Sequence, residues 1–319
     1  DQKNYAEAEP LMRELVAAHT RISGAEKAPA LTARHDLAVV LLKQDRDAEA
    51  EALIREVAAT HSRVFGPEAV DTLGYRQDLA LVLMTEGRHA EAERILRDVA
   101  AIRTRVWGAE HPDTLKCRTR LAEALDSQDH YTAAEAELQD LVSILTRTRG
   151  AEDRETLTHH TLLIDILCQQ GRYAEGERRY REIIATATRV LGPEDMVTLS
   201  SRAHLAAALS HLDREPEAEA ELRALLPLLE RVLGAEAHET LLTRLNLAKV
   251  IGAQNRDAEA AGLLRALVPV LTRVRGAEDE QTLKCQERLA AHLTHVNEDA
   301  AALEICRRML PAAMRVLGP

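Results

Sequence analysis

One glycine-centred turn recurs every 42 residues. Its glycines are Gly24, Gly66, Gly108, Gly150, Gly192, Gly234, Gly276 and Gly318, with no insertion or deletion between copies. Around it the chain reads Arg-Val-Trp-Gly-Ala-Glu at 105–110 and Arg-Val-Leu-Gly-Pro-Glu at 189–194. A fixed period of this length excludes ordinary globular packing. Each block is one supersecondary unit that buries its core only against its neighbours, so a linear array results. Dividing 319 residues into about two globular domains therefore does not apply.

Two helical patterns lie between successive glycines. Residues 4–22 carry Ala8, Leu11, Met12, Leu15 and Val16 at helical spacing. After Gly24 a second pattern carries Leu31, Leu37, Ala38 and Leu41. A polar break at 44–47 leads into a helix at 48–64 of the first type. We call the helix after each glycine A and the helix before the next glycine B. The expected organisation is a lone helix B at 1–24, followed by seven A–B repeats at 25–66, 67–108, 109–150, 151–192, 193–234, 235–276 and 277–318. The chain opens at Asp1 without a methionine and stops where another helix A would begin. It therefore reads as a segment of a longer protein, with ends that expose apolar faces suited to end-to-end self-association.

Comparing the blocks separates fixed from free positions. Helix A carries leucine at one position in all seven copies, from Leu37 to Leu289. The next residue is alanine in six, with Ile164 the exception. In helix B a small residue recurs from Ala8 to Ala302, replaced once by Gly176. Small residues permit close helix approach and large ones fill the space between. The arginine three before each glycine and the glutamate two after it are also fixed, which predicts an Arg–Glu pair or a carbonyl cap at the turn. Thr72, Thr114, Thr156, Thr198, Thr240 and Thr282 suit the start of helix A as N-caps or first-turn residues. Pro227, Pro269 and Pro311 fall in the middle of helix B, where a bend is expected.

Leu37-Ala38 with Leu41, then Ala50 and Ile54 after a twelve-residue gap, resembles the tetratricopeptide pattern of alternating large and small residues. The 42-residue period and segments such as Gly-Ala-Glu-His-Pro-Asp-Thr-Leu at 108–115 resemble the kinesin-light-chain type of repeat, common in long bacterial proteins. The resemblance implies an all-α, right-handed superhelical solenoid of antiparallel helix pairs, in which one face of helix A lines a concave groove. It also implies a cytoplasmic protein-binding scaffold. A further possibility is the sensor or autoinhibitory repeat module of a multidomain signalling ATPase, with the partner domain in the same chain.

A helical wheel places Leu37, Ala38 and Leu41 inward and Thr32, Asp36, Val39 and Lys43 outward. The outward stripe varies along the array. Candidate groove residues are Asp36, Val39, Lys43, Asp78, Leu81, Arg120, Glu123, Asp165, His204, His211, Asn246, Lys249, Arg288 and His295. Val39, Leu81 and Met84 would supply apolar contact. The early acids and later bases suit a protein or peptide segment of opposite polarity. Asn246 matches the groove asparagine of the family, but Asp36, Asp78, Arg120 and Leu162 at its register do not, so a clamp for a free C-terminus is not indicated.

Other functions find little support. Net charge is −11 with no basic stripe, which argues against nucleic acid. No apolar run reaches the roughly 18 residues of a membrane span. Aromatics are 2% of the chain, so little stacking surface exists. Cys117, Cys168, Cys285 and Cys306 form no CxxC pair and read as free thiols. No glycine-rich phosphate loop, GxSxG or HExxH occurs, so neither enzyme nor cofactor is expected. His159 and His160 are neighbours and point to different sides of a helix. His292 and His295 could share a face, but spacing supplies no third ligand, so no metal site is assigned.

Overall fold

The computed structural model describes residues 2–317, so the turn expected at Gly318 lies outside the described residues. The chain forms two compact units, Asp1–Gly150 and Ala151–Pro319. The first holds α1 (Gln2–Ser23), α2 (Ala28–Leu42), α3 (Asp47–Phe65), α4 (Val70–Thr85), α5 (His89–Trp107), α6 (Pro112–Asp126) and α7 (Tyr131–Arg149). The second holds α8 (Arg154–Gln169), α9 (Tyr173–Val190), α10 (Met196–His211), α11 (Glu215–Val232), α12 (His238–Ala253), α13 (Asp257–Arg275), α14 (Glu280–His295) and α15 (Asp299–Leu317). Within each unit every helix packs on the next in sequence. In the second, α10 also touches α8 and α12, which are helices of the same type one repeat away. The fold is the all-α helix-pair array that the period implies, and the described residues contain no strand.

The two inter-helix turns have different chemistry. At the B-to-A turn, glycine takes φ near +97° at Gly24 and +100° at Gly192, a region closed to side chains. Helix A starts four residues later, and in four copies the residue before it caps it through its side chain: His111, Asp153, Asp195 and Asp279. The recurring threonines are thus first-turn residues and not caps. They are buried, and the hydroxyls of Thr72, Thr198 and Thr240 donate back to the carbonyls of Gly66, Gly192 and Gly234 at 2.8–2.9 Å. At the A-to-B turn a second left-handed position recurs, held by Asp45, Gly87, Asp129, Gly171, Asp213, Asn255 and Asn297. These are the residue types that tolerate that conformation.

The fixed positions form the core. Leu37, Ala38, Leu41, Ala50 and Ile54 are all buried, as are their equivalents Leu205, Ala206, Leu209, Ala218 and Leu222. Gly176 departs from the alanine pattern because a Cβ there would lie 2.4 Å from Cys168 Sγ. The prolines sit inside α11, α13 and α15, each of which continues past its proline. All three prolines are exposed, so the carbonyl each leaves without a donor can be solvated.

Two ion-pair series run along the array, and both reach back 37 residues. At the glycine turn Arg63 meets Glu26 at 2.6 Å and Arg147 meets Glu110 at 2.6 Å. Arg105, Arg189, Arg231, Arg273 and Arg315 repeat the contact. The expected Arg–Glu pair is present, but the glutamate belongs to the preceding turn. At the other turn Arg46 meets Glu9, Arg88 meets Glu51, Arg214 meets Glu177 and Arg256 meets Glu219. Burial works against the Glu219 carboxylate, yet Arg223, Arg256 and Gln254 outweigh it and hold the pKa down at about 2.

Candidate functional site

The outward stripe of helix A remains accessible in both units. Asp36, Val39, Lys43, His211, Lys249 and His295 are exposed, and Asp78, Leu81, Arg120, Glu123, Asp165, His204, Asn246 and Arg288 are half-buried. The buried side of the same helices carries Leu37, Ala38 and Leu41, as the wheel requires.

In the first unit the stripe encloses a hollow of about 450 Å³. Val39, Leu42, Ile54, Leu81 and Val82 form its apolar wall, and His35, Asp45, Asp47 and Asp78 supply polar groups. The neighbouring A helices are joined here. His35 Nε2 lies 2.9 Å from Asp78 Oδ2, and the hydroxyls of Thr32 and Tyr75 are 3.3 Å apart. Asp78 raises the His35 pKa above its ordinary value, although burial opposes it. Further along, Arg120 pairs with Glu123 at 2.7 Å.

In the second unit the stripe carries a different network. Tyr180 is fully buried and its hydroxyl donates to Asp165. His204 Nδ1 lies 2.8 Å from the same carboxylate. Burial disfavours the His204 cation, but Asp165 outweighs this and the pKa is raised. His211 stacks on Tyr173, with ring centroids 4.4 Å apart and planes 7° apart. His295 Nδ1 is 3.0 Å from Asp257 Oδ1. Several stripe charges are therefore already paired across helices, which blunts the acid-to-base gradient expected along the chain.

Burial keeps three of the thiols protonated. All four cysteines are free. Burial pushes the thiol pKa of Cys117 and Cys168 up to about 11 and that of Cys285 to about 12. Among the described residues no helix is long and apolar enough to cross a membrane.

Sequence reasoning missed His35, Asp45 and Asp47 around the hollow, Tyr180 beneath Asp165, and Asp257 beside His292 and His295. The contacts His35–Asp78 and Thr32–Tyr75 both span 43 residues. For these two contacts the signal was available in principle, because both pair one A helix with the next at one period plus one position.

Models of the tetratricopeptide repeat match residues 30–68, 68–147 and 155–231. Among solved structures, the chain is similar to a putative kinesin light chain from Podosopora anserina with nearly identical TPR-like repeats. The identity is 24% and the TM-score 0.54, over 64% of this chain and 96% of that one. It is also similar to a signal transduction ATPase with numerous domains, with a tetratricopeptide repeat sensor, from Pyrococcus horikoshii. There the identity is 14% and the TM-score 0.65, over 90% of this chain and 43% of that one. A Rap protein complexed with competence and sporulation factor gives 11% identity and a TM-score of 0.62, over 97% and 80%. No curated protein matches the sequence.

Proposed function

The chain belongs to the tetratricopeptide repeat family, and from that premise we propose that it is a non-enzymatic scaffold that binds a segment of a protein partner along the outward stripe of its A helices. The observation that carries this reading is the hollow between α2, α3 and α4. Its walls are apolar, and its polar rim includes three carboxylates, Asp45, Asp47 and Asp78. Such a hollow suits an apolar side chain flanked by lysine or arginine. Burial of the apolar group would supply affinity, and the carboxylates would set register and orientation.

The invariant framework supports the same view. Core and turn positions are fixed, while the stripe above them differs from repeat to repeat, as a site with irregular specificity needs. The raised thiol pKa values give no support to a cysteine-based reaction. A second reading is a sensor module in a longer signalling protein. Its support is the likeness to the repeat sensor of the Pyrococcus horikoshii ATPase, of which this chain covers 43%. Both readings use the same face, occupied from another chain in the first and from the same chain in the second.

The test is an array of fluorescent peptides that places one apolar residue between basic ones, measured by anisotropy against the full chain. Leu81→Glu should weaken the best binder by about thirtyfold or more, the scale of an interface hot spot. Lys249→Glu with Arg288→Glu should weaken a ligand bound on the stripe of the second unit. Binders insensitive to all three changes would refute the stripe as the binding face.

A further inference from the structure

We propose that Asp257, His292 and His295 form a binding site for a divalent transition-metal ion of the zinc class. Asp257 is the first residue of α13, and the two histidines lie in the last turn of α14. Asp257 Oδ1 is 2.6 Å from His292 Nδ1 and 3.0 Å from His295 Nδ1. One ligand atom from each residue falls within 4.8 Å of the others. A tetrahedral ion with ligands at about 2.1 Å holds them roughly 3.4 Å apart, so the cluster needs only a small opening to admit one. Two imidazoles and a carboxylate, with no thiolate, suit zinc and its neighbours over softer ions. His295 is 64% exposed, which leaves a remaining coordination position open to water.

The way the site is built supports the assignment. The His292 register is apolar in every other repeat, with Val40, Val82, Ala124, Ile166, Ala208 and Val250. The imidazole enters this layer because Gly252 stands opposite. A Cβ at that position would lie 2.3 Å from His292 Cε1 and 2.7 Å from Nε2. No other repeat has glycine at the Gly252 register. Two departures from an otherwise regular sequence thus meet at one point and bring a histidine to a carboxylate that a second histidine already faces. A bound ion would replace the two hydrogen bonds and tie α13 to α14.

Calorimetric titration of the full chain with zinc chloride tests the site. His295→Ala and Asp257→Asn should each weaken one binding event by more than the about 10–100-fold typical of losing a supporting residue. His295 is exposed enough for the alanine variant to keep its fold, with far-UV circular dichroism as the check. His211→Ala, at the His295 register of an earlier repeat, should leave that event intact. Unchanged zinc binding in both His295→Ala and Asp257→Asn would overturn the proposal. Equal weakening by His211→Ala would also overturn it, by showing only adventitious binding to surface histidines.

Discussion

Gly252→Ala tests how tightly the unusual layer around His292 is built. In most helix interiors this change is favourable by about 1 kcal/mol, because alanine loses less conformational freedom on folding. Here the new Cβ would stand 2.3 Å from His292 Cε1, more than 1 Å inside the roughly 3.5–4.0 Å optimum for carbon atoms. The ring has little room to retreat, being largely buried and held at 2.6 Å by Asp257. Overpacking of this kind costs about 1–3 kcal/mol, and losing a hydrogen bond to a charged group costs about 1.5–3 kcal/mol. With the helix-propensity gain subtracted, we expect a net loss of about 1.5–5 kcal/mol. In a His292→Ala background the obstacle is gone, and the same substitution should stabilise by about 1 kcal/mol. The sign reversal is the prediction. It is read from urea unfolding of the four variants by far-UV circular dichroism, fitted with a nearest-neighbour repeat model. Additivity of the two substitutions within about 0.5 kcal/mol would refute the steric argument.

Two further predictions concern the turns and the hollow. Arg189→Ala removes a pair whose side chains are 62% and 56% exposed and should cost under about 1 kcal/mol. Gly192→Ala, at φ +100°, should cost about 1–3 kcal/mol through backbone strain; the reverse order in urea midpoints would show that the ion pair sets the turn. Asp78 raises the His35 pKa, so the protonated pair adds stability that is complete below about pH 6.5 and fades as pH rises through the raised value. Asp78→Asn should shrink the difference between urea midpoints measured at about pH 5.5 and about pH 8; an unchanged difference would remove His35 from the account.

The regular part of this molecule was legible because repetition reports it many times. Leu37, Ala38, Leu41 and Ala50 recur at one spacing, and the structure buries them all. What escaped were contacts between blocks. Arg63 was expected to find a glutamate, and it finds Glu26 of the previous turn at 2.6 Å. Helical periodicity cannot express that relation, which depends on how one pair stacks on the next. The threonine spacing marks the start of helix A, but the helix begins two residues earlier, and Thr72, Thr198 and Thr240 donate to the glycine carbonyls instead of capping it. His292 and His295 were seen to share a face, and the carboxylate that joins them lies 35 residues before His292. No single-helix pattern points there. The stripe was readable as outward, but the pairing of Asp78 with His35 and of Asp165 with Tyr180 and His204 depends on neighbours that a wheel leaves out.

The constant reach of 37 residues has a consequence for how such a gene can change. Removing any whole 42-residue block brings the arginine of one turn onto the glutamate of the turn now preceding it, so the junction inherits the same bond. Unequal recombination could therefore lengthen or shorten the array without inventing a new interface. Gly252 and His292 are exempt from this freedom, because they fit only as successive neighbours. A deletion that separates them would leave an imidazole facing an ordinary side chain, so at that joint chemistry constrains copy number.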